Sequence, residues 1–194
     1  PRDIGGGGMS VSTSKIEAAI ISRPDLFNYV SNEDKKLEAL LCKLIDKSIS
    51  ILSRQDIFEI AVVKSPRRAA LVNENGEISL SKILKCIFEC ENDEARIRVL
   101  SSLAGVGIPT ASAILSWTLP NDYGVIDRRA WQALYHFKLV SHNYADQFTV
   151  KMFLDYTGTI RVLARNLKKT PQQIDMWLYR YDRDVAPYEL GVAA

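Results

Sequence analysis

Two glycines separated by one residue, in the run Leu103-Ala104-Gly105-Val106-Gly107, stand between two helical stretches. That pattern confines the chain locally to a tight hairpin joining two helices. A turn so short needs backbone at φ > 0, which glycine reaches without steric cost, and backbone without a Cβ admits a close neighbour. The second stretch starts near Pro109, and proline in a first helical turn forfeits a donor that has no partner there anyway. The free amides and positive dipole end of that helix then point at any anion approaching the hairpin. Twenty residues beyond Gly107, Asp127 opens a further helical run that begins Arg128-Arg129.

Helical spacing dominates the rest of the chain, and no convincing strand run occurs. An amphipathic stretch over residues 14–21 is broken by Pro24. Leu37, Leu40, Leu41, Leu44 and Ile45 form a stripe on a helix that Asn32 or the neighbouring acids can cap. Asp56 reads as the cap of a shorter helix ending before Pro66. Its Ile57, Phe58, Ile60, Ala61, Val62 and Val63 are apolar nearly all round, which predicts burial in the middle of a bundle. Asn73-Glu74-Asn75-Gly76 is a turn signal. Leu80, Ile83, Leu84 and Ile87 mark the next helical face, and Ile97, Leu100 and Leu103 another over 93–103. Further helices are predicted over 109–117, 127–137, 149–166 and 171–181.

These signals predict an all-α, two-lobed helical bundle. Residues 9–55 and 138–194 are expected to form one lobe, and 56–137, with the hairpin at 103–109, the other. Residues 1–8, which end in a tetraglycine run directly before Met9, read as a tag remnant and are left out of the fold. A chain of 194 residues can bury a substantial core, and no apolar run approaches the roughly 20 residues of a membrane span.

A net charge of +2 by itself says little about a polyanionic partner. The distribution says more, because Lys64, Arg67 and Arg68, then Arg128 and Arg129, then Arg161, Arg165, Lys168 and Lys169 form three clusters. They line one groove or are separate solvated faces. The three cysteines lack the paired spacing of a zinc site, and Cys86 and Cys90 read as small buried hydrophobes. With no secretory signal visible, a reducing compartment is the default. His136 and His142 fit neither a metal-ligand nor a triad spacing, so no metal is expected.

The run Leu103-Ala104-Gly105-Val106-Gly107-Ile108-Pro109-Thr110-Ala111-Ser112-Ala113-Ile114-Leu115, followed by Val125-Ile126-Asp127-Arg128-Arg129-Ala130-Trp131, resembles the signature of the helix-hairpin-helix DNA glycosylases. The similarity covers about residues 96–135. More weakly, 58–68 resembles the helix and loop from which that family projects residues into the DNA gap.

The resemblance implies hydrolysis of the N-glycosidic bond of a damaged or modified base flipped out of double-stranded DNA. It implies a monomer working in the cytoplasm, beside the nucleoid, or in a nucleus. Gly105, Val106 and Gly107, with Pro109 and Thr110, would hold a phosphate and set the register. Arg67, Arg68, Arg128 and Arg129 are the further DNA-contact candidates, with one of the last two on phosphate and the other solvated. Asp127 would be the catalytic carboxylate that stabilises positive charge on the sugar; its other reading is a plain N-cap. Trp117, Tyr123 and Trp131 are candidates to stack on the extruded base, their other reading being core.

Two features depart from the family. Branches that also cut the backbone carry a lysine where this chain has Pro109, which implies a monofunctional enzyme using water. Lys64, ending the apolar helix, is the alternative amine, approaching from another direction. The cysteine quartet of the endonuclease III branch is missing from the tail, so no iron–sulfur or other cofactor is expected. The segment between Lys64 and Gly105 is shorter than in the family, which points to a remodelled lesion pocket. The competing functions are a non-catalytic helix-hairpin-helix DNA-binding module and an all-α interaction protein with a fortuitous turn.

Overall fold

The computed structural model describes residues 13–28, 40, 43–44, 47–143 and 147–185. Every regular element among them is helical, as the periodicity predicts. They are α1 (Ser14–Ser22), α2 (Arg54–Lys64), α3 (Glu77–Glu89), α4 (Asp93–Ser101), α5 (Ile108–Thr118), α6 (Arg128–His136), α7 (Val150–Leu167) and α8 (Pro171–Asp184). Short 3-10 turns at Pro24–Phe27, Ile49–Ile51 and Ala69–Glu74 link them. Of the expected Leu37–Ile45 stripe, Leu40 and Leu44 are buried, while Asn32, Leu37, Leu41 and Ile45 lie outside the described residues. Residues 1–8 lie outside them as well.

Helix starts follow local chemistry. Ser53, not Asp56, caps α2. Its hydroxyl accepts from the Asp56 amide while the Asp56 carboxylate reaches back to the Ser53 amide. Both early amides are thereby satisfied. Asp56 is buried, and burial pushes its carboxyl up. The hydrogen bonds from Lys47 and Ser53 outweigh that and hold it below the ordinary carboxylate range. Asn92, Thr149 and Thr170 cap α4, α7 and α8 through their side chains.

The centre of the bundle is α5 rather than α2. Every residue of α5 from Thr110 to Thr118 is buried. Its small Ala111, Ser112, Ala113 and Ser116 let neighbours approach from all sides, which a helix of large side chains would prevent. In α2 only one face is covered, by Ile57, Ile60 and Ala61, and Val62 and Val63 are each 44% exposed. Apolar residues all round it therefore do not mean burial here, because the far side also carries Gln55 and Glu59. Cys86 is exposed and Cys90 half-exposed. The core face of α3 is Leu80, Leu84 and Ile87, and helical spacing turns both cysteines away from it.

Buried apolar side chains from all of these elements form one connected core. Within it α6 packs on α8, α7 on α8, and α2 on both α5 and the 69–74 turn. No helix among the described residues is long and apolar enough to cross a membrane.

Candidate active site

Gly105 and Gly107 serve the hairpin for different reasons. Gly105 has φ +78°, and a Cβ there would lie 2.8 Å from the Val72 backbone nitrogen and 2.9 Å from the Arg68 carbonyl oxygen. Both are main-chain atoms, so neither can step aside. Gly105→Ala is therefore expected to destabilise the protein by about 3 kcal/mol, from left-handed backbone and overpacking together. Urea denaturation checks this, and a loss below 1 kcal/mol would contradict it.

Gly107 is unlike Gly105. It has extended backbone at φ −92°, and a Cβ would meet only ordinary contacts, 3.7 Å from the Arg68 guanidinium and 3.9 Å from Pro109. Its bare Cα faces a groove of about 340 Å³ between Arg68, Ser101, Ile108 and Phe148. Gly107 caps α5 without a side-chain hydrogen bond, so the Ile108 and Thr110 amides of the first turn have no capping side chain, and Pro109 between them carries no amide hydrogen. The Ser101 hydroxyl, also on the groove, is buried without a partner among the described residues.

Asn75 holds the hairpin from outside. Its side-chain amide donates to the Ala104 carbonyl and accepts from the Ala104 amide, both at 3.0 Å. Val106 and Thr110 present no side chain to a DNA surface. Val106 packs in the core, and the buried Thr110 hydroxyl donates to Ser65 at 3.2 Å. What the hairpin offers outward is main chain.

On the same side, the turn after α2 carries Arg67 and Arg68, both exposed. Arg128 is exposed at the start of α6. Arg129 is already engaged, pairing with buried Asp182 at 3.2 Å and lying 5.8 Å from the Tyr179 ring centre. Arg129 thus holds α6 to α8, while Arg128 has no ion pair among the described residues.

Lys64, the last residue of α2, meets Asp127, the N-cap of α6. Nζ lies 3.3 Å from Oδ2 across a sequence separation of 63 residues. The two side chains are 17% and 20% exposed, enough for solvent or a ligand to reach them. The other oxygen, Oδ1, accepts from the Ala130 amide at 3.0 Å. Asp127 is therefore both the cap of α6 and half of an ion pair.

The chain leading to Asp127 is pinned on two sides. The Ile126 amide donates to Ser112 Oγ at 3.1 Å, and Ser112 in turn donates to the Pro109 carbonyl at 2.9 Å. The Val125 amide donates to Asp175 Oδ2 at 3.0 Å, and the Tyr156 hydroxyl donates to Asp175 Oδ1. A Cβ on Gly124 would stand 2.7 Å from Asp175 Cβ and from Ile160, so only glycine lets the loop come this close to α8. Burial, reinforced by the charge of Asp127, pushes the Asp175 carboxyl up to about 7. Burial also pushes the Tyr156 hydroxyl well above its usual value, and Asp175 adds to the effect.

The aromatic candidates for base stacking are core residues. Trp131 is fully buried and its indole donates to the His142 carbonyl at 3.1 Å. Trp117 is buried on α5. Tyr123 is fully buried, stacked on Phe153, with its hydroxyl between Asp93 and Arg96. Helical spacing placed the two tryptophans inward, and loop packing buried Tyr123; all three rings stabilise the fold and offer no face to a ligand. The Asp93–Arg161–Tyr123 cluster buttresses the 119–124 loop. Burial raises the Asp93 carboxyl, but hydrogen bonds from Arg161 and Tyr123 prevail and keep it below the ordinary range. Tyr179 is half-buried, one helical turn beyond Asp175 and flanked by Arg129 and Arg183. No three or more His, Cys, Asp or Glu residues among those described gather as a metal site.

Comparison with solved structures brings in two archaeal chains. One is the 8-oxoguanine glycosylase/lyase of Methanocaldococcus jannaschii in complex with a 15mer DNA containing 8-oxoguanine. It is 17% identical, with 88% of this chain and 90% of that chain covered at a TM-score of 0.49. The other is the 8-oxoguanine DNA glycosylase of the same organism, 19% identical over 89% of each chain, again at 0.49. No protein-family model matches the sequence, and no curated protein aligns with it.

Signals for the supporting residues are weak in the sequence. An Asp or Tyr on an amphipathic helix, such as Asp175 or Tyr156, looks like any polar residue at a helix boundary. Asn75 is marked only as part of a turn, and Gly124 only as part of a loop.

Proposed function

We propose that the protein is a helix-hairpin-helix DNA glycosylase that also carries lyase chemistry, with Lys64 as the amine and Asp127 as the carboxylate. The observation that carries this reading is the Lys64–Asp127 pair, 3.3 Å apart, whose neighbours Ser65 and Ile126 are bonded to Thr110 and Ser112 of the helix that follows the hairpin. A backbone anchor, a carboxylate and a half-buried amine are the groups that break a C1′–N bond by amine attack. The hairpin amides hold a phosphate, and Arg67, Arg68 and Arg128 add charge along the strand. Asp127 stabilises positive charge developing on the deoxyribose. The amine of Lys64, in its neutral form, bonds to C1′ while the base leaves with the glycosidic electron pair and takes up a proton. The resulting carbinolamine-type adduct opens to an imine.

In the second reading water replaces the amine and Lys64 only pairs with Asp127. It draws on Pro109, which stands where lyase branches carry their lysine. In either reading the protein acts as a monomer on duplex DNA containing a damaged or modified base. Base release from a panel of lesion-containing duplexes tests the shared claim, and no release from any of them would leave a DNA-binding module.

DNA affinity should fall steeply with salt. Replacing both Arg67 and Arg68 by alanine is expected to make the slope of log affinity against log salt shallower by about 1 to 2. An unchanged slope would remove that turn from the interface.

A further inference from the structure

We propose that Asp175 is a positioning residue for the Lys64–Asp127 pair, fixing the chain that delivers Asp127 and governing, through the charge it carries, when Lys64 presents a free amine. The inference rests on the reading of that pair as the reactive centre.

The geometry is built for positioning. Asp175 is 4% exposed, and both of its oxygens are used, one by the Val125 amide and one by the Tyr156 hydroxyl. Val125 lies two residues before Asp127, so the bond acts directly on the approach to the cap. Gly124 leaves no room for a Cβ beside Asp175, and Ile126 is held from the opposite side by Ser112. The loop thus has a fixed path between α5 and α8, and Asp127 has a fixed place at its end.

The charge argument follows from the same packing. The titratable groups facing Asp175 among the described residues are Asp127 at the start of α6, Lys64 at the end of α2 and Tyr156 on α7. With Asp175 protonated, the cluster holds one positive and one negative charge. With Asp175 ionised it holds a second negative charge in a poorly solvated place, and a negative charge nearby keeps a proton on an ammonium. The burial that lifts Asp175 to about 7 puts this change near neutral pH. Its sign for stability is equally definite. A carboxyl raised on folding contributes stability that is complete below its unfolded value of about 4 and is lost as pH rises through its folded value.

Competition labelling of Lys64 with acetic anhydride on the free protein, followed by peptide mass spectrometry, tests the proposal without DNA. In Asp175→Asn the pH of half-maximal labelling should fall by about one unit. Tyr156→Phe removes a hydrogen bond that favours the ionised form of Asp175, so near neutral pH more of the protein holds Asp175 neutral and Lys64 should label faster there than in the wild type, with the core still filled. It also serves if Asp175→Asn folds poorly. The thermal midpoint of Asp175→Asn relative to wild type should climb between pH 5 and pH 8. A merely structural Asp175 would leave the midpoint of Asp175→Asn and the neutral-pH labelling rate of Tyr156→Phe at their wild-type values, and that result overturns the proposal. Wild-type base release is assayed separately, so an inert wild type with shifted labelling would refute the glycosylase reading and leave the Asp175 linkage standing.

Discussion

Asp127→Asn is expected to reduce base release by about a hundredfold to a thousandfold while leaving DNA affinity within a factor of about two. Asparagine is as good an N-cap as aspartate, so the Ala130 amide keeps its acceptor and α6 keeps its start. The hairpin, Arg67 and Arg68 stand on other elements and are untouched. Only the charge is lost, and with it the stabilisation of a cationic sugar and the ionic partner of Lys64. Single-turnover release from a lesion duplex, beside fluorescence anisotropy with the same duplex, separates the two effects. Release at the wild-type rate would leave Asp127 a cap and an ion-pair partner with no part in the chemistry.

Lys64→Ala is expected to abolish the covalent protein–DNA adduct that borohydride traps from the wild type. Its amine is the only one in an ion pair with Asp127 among the described residues. Loss of that partly exposed pair should cost about 1 kcal/mol of stability, so the variant should fold and bind DNA. Trapping by Lys64→Ala at the wild-type level would move the amine elsewhere. Absence of an adduct in the wild type, with base release intact, would favour the water reading that Pro109 suggests.

Much of the fold is readable from periodicity, because an amphipathic stripe records which face of a helix another element covers. The stripe of α3 and the inward face of α4 are as spacing predicts. Reading fails where burial is not amphipathic. In α2 nearly continuous apolar residues suggest a central helix, yet Val62 and Val63 face solvent. In α5 small residues understate a helix that is buried on every side. The aromatic residues failed as site candidates for a related reason. Trp117 and Trp131 occupy buried helical positions and Tyr123 a buried loop, and ring size stabilises a core there as readily as it would stack on a base.

The glycine hairpin, the following proline and the cap at Asp127 are local features, written in consecutive residues, and the sequence by itself determined them. It also determined that the chain is helical and that Asp127 begins a helix. Only the tertiary structure decided what Asp127 meets. Lys64 reaches it because α2 and α6 converge beside α5, and Asp175 reaches Val125 because Gly124 lets α8 close on the loop. The same packing engaged Arg129 with Asp182 and left Arg128 without an ion pair among the described residues. Backbone preferences act over a few residues and are legible in order along the chain. An ion pair between distant residues depends on distances that exist only after every helix has packed.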